Sequence, residues 1–169
     1  MFVTCGIPGS VGSGTRALWQ ELISAHARLD FRIWPFQGGL NALLKENVPV
    51  IAEIYPKACY AIALAESLPA RLIAVAKTKA AARQRCLAAL REAPWLRETG
   101  IMLGDMRRAM SNEDDFDALL SAAALMRLFL ETAPLESVET VDPAVEGGIL
   151  GAASLRLPSI AGLQQTVAK

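Results

Sequence analysis

"VPVIAEIYP", residues 48–56, decides how the fold is read. The stretch is rich in β-branched residues, apolar at nearly every position and closed by Pro56, which is strand composition. A strand apolar on both faces belongs in the middle of a sheet covered by helices. One residue breaks the pattern. Glu53 stands near the centre, and an ionised carboxylate is costly to bury unless it is paired or holds a metal. Three readings of Glu53 follow: turned to water on an edge strand, paired with a buried arginine, or presented by a rigid strand as a metal ligand.

The neighbouring segments supply the rest of an α/β order. Upstream, "FVTC" (2–5) reads as a short strand, and glycines 6, 9, 12 and 14 lead to Thr15 as the cap of a helix to about Ala27. Leu18, Trp19, Leu22 and Ile23 recur there at helical spacing. "FRIWPF" (31–36) alternates like a strand and ends at Pro35. Downstream, helical segments run over roughly 57–67 and 76–92, parted by "SLPA". A third, 112–132, opens with Asn112 as N-cap, carries acids in its first turn, and becomes apolar nearly all round, as a buried helix does. "VEGGILG" (145–151) reads as a last short strand, and the tail from about 158 as loosely ordered. The expectation is a single α/β domain over 1–169.

The glycine stretch "GIPGSVGSGTRALWQELI" (6–23) is tested first as a nucleotide loop. Gly9 and Gly14 have the Walker spacing, but Thr15-Arg16 follow where lysine is required. The dinucleotide fingerprint finds Ala17 at its last glycine and no clean acidic partner further on. A tight strand-to-helix turn is the more economical reading. Ser10, Ser13, Thr15 and Arg16 are then placed to touch a phosphate at a helix N-terminus.

Bulk composition removes other classes. The chain has 169 residues, 53% hydrophobic, with 17 basic side chains balancing 17 acidic ones, so no global basic excess advertises nucleic acid. Three scattered cysteines without a CxxC pair argue against a disulfide framework or zinc site and for a reducing, cytoplasmic setting. His26, the one histidine, has no evident partners for a triad. No signal peptide or membrane-spanning run is expected.

Acids and bases cluster in two places. Asp114, Asp117 and Ser121 lie three and four residues apart and share one helical face, while Asp115 is displaced from it. Helix capping explains acids at such a position. Set beside Glu53, however, they allow a divalent-cation cluster suited to Mg2+ or Mn2+, which would activate a water for phosphodiester hydrolysis. Arg71, Lys77, Lys79, Arg83, Arg85 and Arg91 form the basic cluster, either a solvated helix face or a phosphate-contacting one.

Taken in order, "GSVGSGTRALWQEL", "FRIWPF", "VPVIAEIYPKA", "NEDDFDALLSAAALMRLFLE" and "VEGGILG" resemble a bacterial family of predicted nucleases with an RNase H-like fold. The resemblance implies a mixed sheet flanked by helices. It makes Glu53 the mid-sheet carboxylate of the metal site, Asp117 the C-terminal-helix aspartate and Asp114 a weaker third acid. Lys77 matches a lysine that precedes an arginine-bearing helix, and Lys77, Arg83 and Arg16 are the expected substrate contacts. RNase H-like enzymes carry their first aspartate on the opening strand, whereas residues 1–29 hold no acid except Glu21. The expectation is therefore an N-terminally shortened relative: a Mg2+- or Mn2+-dependent nuclease-like protein with an incomplete carboxylate set. The alternative is a catalytically inactive binding or assembly module, oligomeric through an exposed sheet edge.

Overall fold

The computed structural model describes residues 11–136 and 148–156. These fall into two compact units, the first ending at Ile51 and the second running from Ala52 and including 148–156. The division cuts through the 48–56 stretch. Among the described residues the architecture is helix-rich and, at a coarse level, α/β: helices accompany one two-stranded parallel sheet.

The first unit contains α1 (Val11–His26), β1 (Arg32–Ile33), α2 (Leu40–Leu43), a 3-10 turn (Leu44–Glu46) and β2 (Val50–Ile51). Strand β1 pairs with β2 in register Arg32 to Val50 and Ile33 to Ile51. Both strands are shorter than their sequence suggests. Beyond β1, Pro35 has no N–H to donate, and the Gln37 amide turns back to the Ile33 carbonyl at 3.1 Å. Val50 is half-buried and Ile51 exposed, so β2 is not a covered central strand among the described residues. Arg32 bridges Asp30 at 2.5 Å and Glu46 at 2.6 Å, and Phe31, Trp34, Leu40 and Leu43 are the buried apolar residues of this unit among those described. Helix α1 starts at Val11, so Gly12, Gly14 and Thr15 lie within it, and Thr15 is not its cap. Residues 2–5 and the first two glycines lie outside the described residues.

The second unit is helical, and α3 (Pro56–Leu64) is its centre. Pro56 suits the first helical position, where an N–H has no partner anyway. Ala58 through Ala63 are buried without interruption, so this helix is covered on every side. Helices α4 (Ala80–Arg91), α5 (Pro94–Glu98), α6 (Arg107–Ser111) and α7 (Glu113–Leu130) complete the unit. Asn112 caps α7 as its sequence suggests, its side chain accepting from the Asp114 and Asp115 amides at 2.7 and 3.1 Å. Phe116, Leu120, Ala123, Ala124, Arg127 and Leu128 form the buried stripe of α7 at helical spacing. Its other face is open: Phe129 is 79% exposed, so α7 is one-sided rather than buried all round.

The buried end of α3 poses the main packing problem, because its last carbonyls have no intrahelical partner. Two side chains solve it. The Arg127 guanidinium, 1% exposed, donates to the carbonyls of Ile62 (2.8 Å), Ala65 (2.6 Å) and Glu66 (3.4 Å). Trp95 Nε1 donates to Ala63 at 2.9 Å, and its ring lies 5.9 Å from the Arg127 guanidinium carbon. Glu131 accepts from Arg127 Nε at 2.7 Å and balances the charge.

Residues 148–156 close over this seam. They form no strand at 148–151; instead a 3-10 turn spans Ala152–Ser154, and Leu155 makes a single parallel bridge with Ala70. Gly151 adopts φ +83°, and a Cβ there would sit 2.9 Å from Leu128 Cδ1 and 3.5 Å from Ile62 Cδ1. Both the backbone angle and the close approach require glycine.

Urea unfolding should report both devices. Gly151→Ala is expected to lose about 1–3 kcal/mol from the backbone angle alone. Arg127→Met, which leaves buried carbonyls unpaired, is expected to lose about 3 kcal/mol or more. Arg127→Lys should recover only part, because an ammonium cannot reproduce the planar fork.

Candidate functional site

Three elements of the second unit meet at one polar cluster. Tyr60, on α3, is 2% exposed, and its ring packs against Phe116 with centroids 5.4 Å apart. Its hydroxyl donates to Asp117 Oδ1. Lys77, from the segment before α4, donates to the other carboxylate oxygen, Oδ2. Asp117 thus spends one oxygen on each partner, from the first turns of α7.

The position of Lys77 is itself fixed. Arg83, 5% exposed on α4, donates through Nη1 to the Lys77 carbonyl at 2.5 Å. Its Nε and Nη2 donate to the carbonyls of Met110 and Ser111, at 3.0 and 3.2 Å, where α6 ends. Arg83 therefore ties the approach to α4 and the end of α6 together from inside. The expectation that it meets a phosphate does not fit a buried guanidinium occupied in this way.

Other expected residues are placed as follows. Glu53 lies past the end of β2 with its side chain exposed, so it is not a buried strand acid; its carbonyl accepts from the Leu150 amide at 2.9 Å. Asp114 is also exposed, although Glu113 and Asp114 both act on the Lys77 ammonium through space. Asp115 is half-buried and pairs with Arg108 at 3.4 Å. Arg16 is exposed on α1 of the first unit. Among the described residues, no three His, Cys, Asp or Glu side chains form a group able to hold a metal ion, so Glu53, Asp114 and Asp117 do not make one together. Asp117 also has both oxygens engaged. The residues described thus do not fit a Mg2+ or Mn2+ centre.

Electrostatics define what the cluster does with protons. The hydrogen bond to Asp117 raises the Lys77 pKa above its ordinary value, more than its burial lowers it, with the charges of Asp117, Glu113 and Asp114 adding to the rise. The Tyr60 phenol is pushed well above its usual range, by burial first and then by its bond to Asp117. Near neutral pH the lysine is an ammonium and the tyrosine a neutral donor. Neither is a base. Beside them, burial raises the Cys59 thiol, and the Ser121 hydroxyl, close to that thiol, is buried without a well-formed hydrogen bond.

Comparison with protein-family models, with curated proteins and with solved structures finds no match to the chain. Among the described residues, no helix is long and apolar enough to cross a membrane.

The sequence singled out Lys77 and Asp117 but missed Tyr60 and the structural roles of Arg83 and Arg127. Tyr60 had a findable signal, a phenol inside the apolar run "ACYAIAL" that needs a partner once buried.

The raised pKa values fix the sign of a pH effect. The stability that Lys77 and Tyr60 contribute is fully present below their ordinary values of about 10. It is lost as pH rises from there through the raised values, because the unfolded chain then releases protons that the folded chain keeps. Tyr60→Phe is expected to flatten the fall in unfolding free energy above about pH 10. An unchanged slope in alkaline denaturation would show that the phenol is not held neutral.

Proposed function

We propose that the chain is a nuclease-like, RNase H-related protein that binds nucleic-acid phosphodiesters at Lys77, with an active site incomplete for metal-dependent hydrolysis. One observation carries the reading: Lys77 and Asp117, which the sequence resemblance singles out in motifs forty residues apart, share an ion pair. An ammonium has three donors. One is spent on Asp117, and the Lys77 side chain is 36% exposed, which leaves donors for a phosphate oxygen. Lys79, two residues on and exposed, and Arg85, exposed on α4, add positive charge to the same segment.

The chemistry available to these groups is recognition. Asp117 orients the ammonium, Tyr60 fixes Asp117, and Arg83 holds the backbone that carries Lys77. With the lysine protonated and the tyrosine neutral, neither is able to take a proton from water. The reading is therefore binding with little or no turnover.

A second reading, an assembly module, draws on a different observation. Met126, Phe129 and Leu130 are 40%, 79% and 43% exposed and lie three and four residues apart on α7. Such a stripe suits a partner surface.

Fluorescence anisotropy with short single- and double-stranded DNA and RNA tests the first reading. Salt-sensitive binding is expected, and Lys77→Gln should weaken it for every sequence and lower the salt slope by about 1. Equal affinity in Lys77→Gln and the unsubstituted protein would remove Lys77 as a phosphate contact. Absence of all binding, together with a dimer by light scattering that Phe129→Glu dissociates, would favour assembly instead.

A further inference from the structure

The expected metal site and the cluster observed around Asp117 disagree, and the disagreement has a physical form. An RNase H-like centre needs carboxylates whose repulsion is relieved by divalent cations. Here the first turns of α7 place Glu113, Asp114 and Asp117 around one side chain that already carries positive charge. Asp117, the less exposed partner of its ion pair, accepts from Lys77 on Oδ2 and from Tyr60 on Oδ1. No carboxylate oxygen of Asp117 remains without a hydrogen-bond donor from the chain.

Resting on the reading of this cluster as the functional site, we propose that the Lys77 ammonium is the site's resident cation: it stands against Asp117 where a divalent metal would bind, and the site engages its ligand without one. The arrangement has the parts such a role requires. Arg83 anchors the Lys77 backbone through its carbonyl, so the ammonium is held at Asp117 by more than its own flexible stem. Tyr60 reaches the same carboxylate from buried α3 and fixes its orientation. A lysine delivers one charge where a metal delivers two, and it offers no bound water to activate. The cluster therefore keeps electrostatic recognition and gives up metal-activated water.

Titration of the full chain with Mn2+, followed by electron paramagnetic resonance without nucleic acid, tests this directly. The unsubstituted protein should show no saturable Mn2+ site that Asp117→Asn removes. Lys77→Gln should gain an Asp117-dependent Mn2+ site, at least about tenfold tighter than any residual Mn2+ binding of the unsubstituted protein, the scale expected when one unit charge beside the ion is removed. Lys77→Gln combined with Asp117→Asn should lose that gain, and Lys77→Arg, which keeps the charge, should not acquire it. An Asp117-dependent Mn2+ site in the unsubstituted protein would overturn the proposal, and that arm needs no lysine variant to fold. Failure of folded Lys77→Gln to gain Mn2+ would overturn it too. Oligonucleotide affinity in EDTA and in Mn2+ is a separate readout: equal affinity is expected, dependence on Mn2+ counts against the proposal, and no binding in either bears on the nucleic-acid reading alone.

Discussion

The second unit depends on satisfying the buried C-terminus of α3. A helix covered on all sides cannot leave its last carbonyls to water, and an orphaned buried acceptor costs on the order of 1–3 kcal/mol. Arg127 and Trp95 meet that demand from α7 and α5, each reaching a different carbonyl. The same contacts fix how α3 lies along α7. With the C-terminal end of α3 held at Arg127, Tyr60 falls opposite the first turns of α7, beside Phe116 and under Asp117. The anchor and the polar cluster are two ends of one helix–helix seam.

Among the described residues the buried charged side chains are two arginines, Arg83 and Arg127, and not Glu53. The rule that a charge inside an apolar run must be paired was applied to Glu53, which is exposed. Applied to "AALMRLFLE", it points to Arg127, which is buried and paired with backbone and with Glu131. Arg83 shows the same economy: in the "AKTKAAARQR" stretch it looks like one of several surface bases, yet it is the one that α4 turns inward. Nothing in a run of like charges marks which member will find carbonyls to bind. That choice is made by where α6 ends.

Other parts were legible. Asn112 reads as an N-cap and is one, because its short side chain accepts from the first free amides. Of Asp114, Asp117 and Ser121, which helical spacing puts on one face, Asp117 and Ser121 meet Tyr60 and Cys59 of α3, whereas Asp114 is exposed. The strands were read too long, because composition shows that a segment can extend but not whether partners lie beside it; β2 stops where the chain passes into the second unit. Helices α5 and α6 were missed, being five residues each, too short for periodicity to speak. Pro94 at the first position of α5 was the available signal.

The convergence of α3, α7 and the segment before α4 on one carboxylate is the claim on which the functional reading stands. Nuclear Overhauser contacts in isotope-labelled protein measure it most directly. Cross-peaks from the Lys77 ε-protons and the Tyr60 ring to the Asp117 β-protons are expected alongside core cross-peaks between Trp95 and Arg127. Core cross-peaks present while those to Asp117 are missing would contradict the cluster, and with it the functional reading.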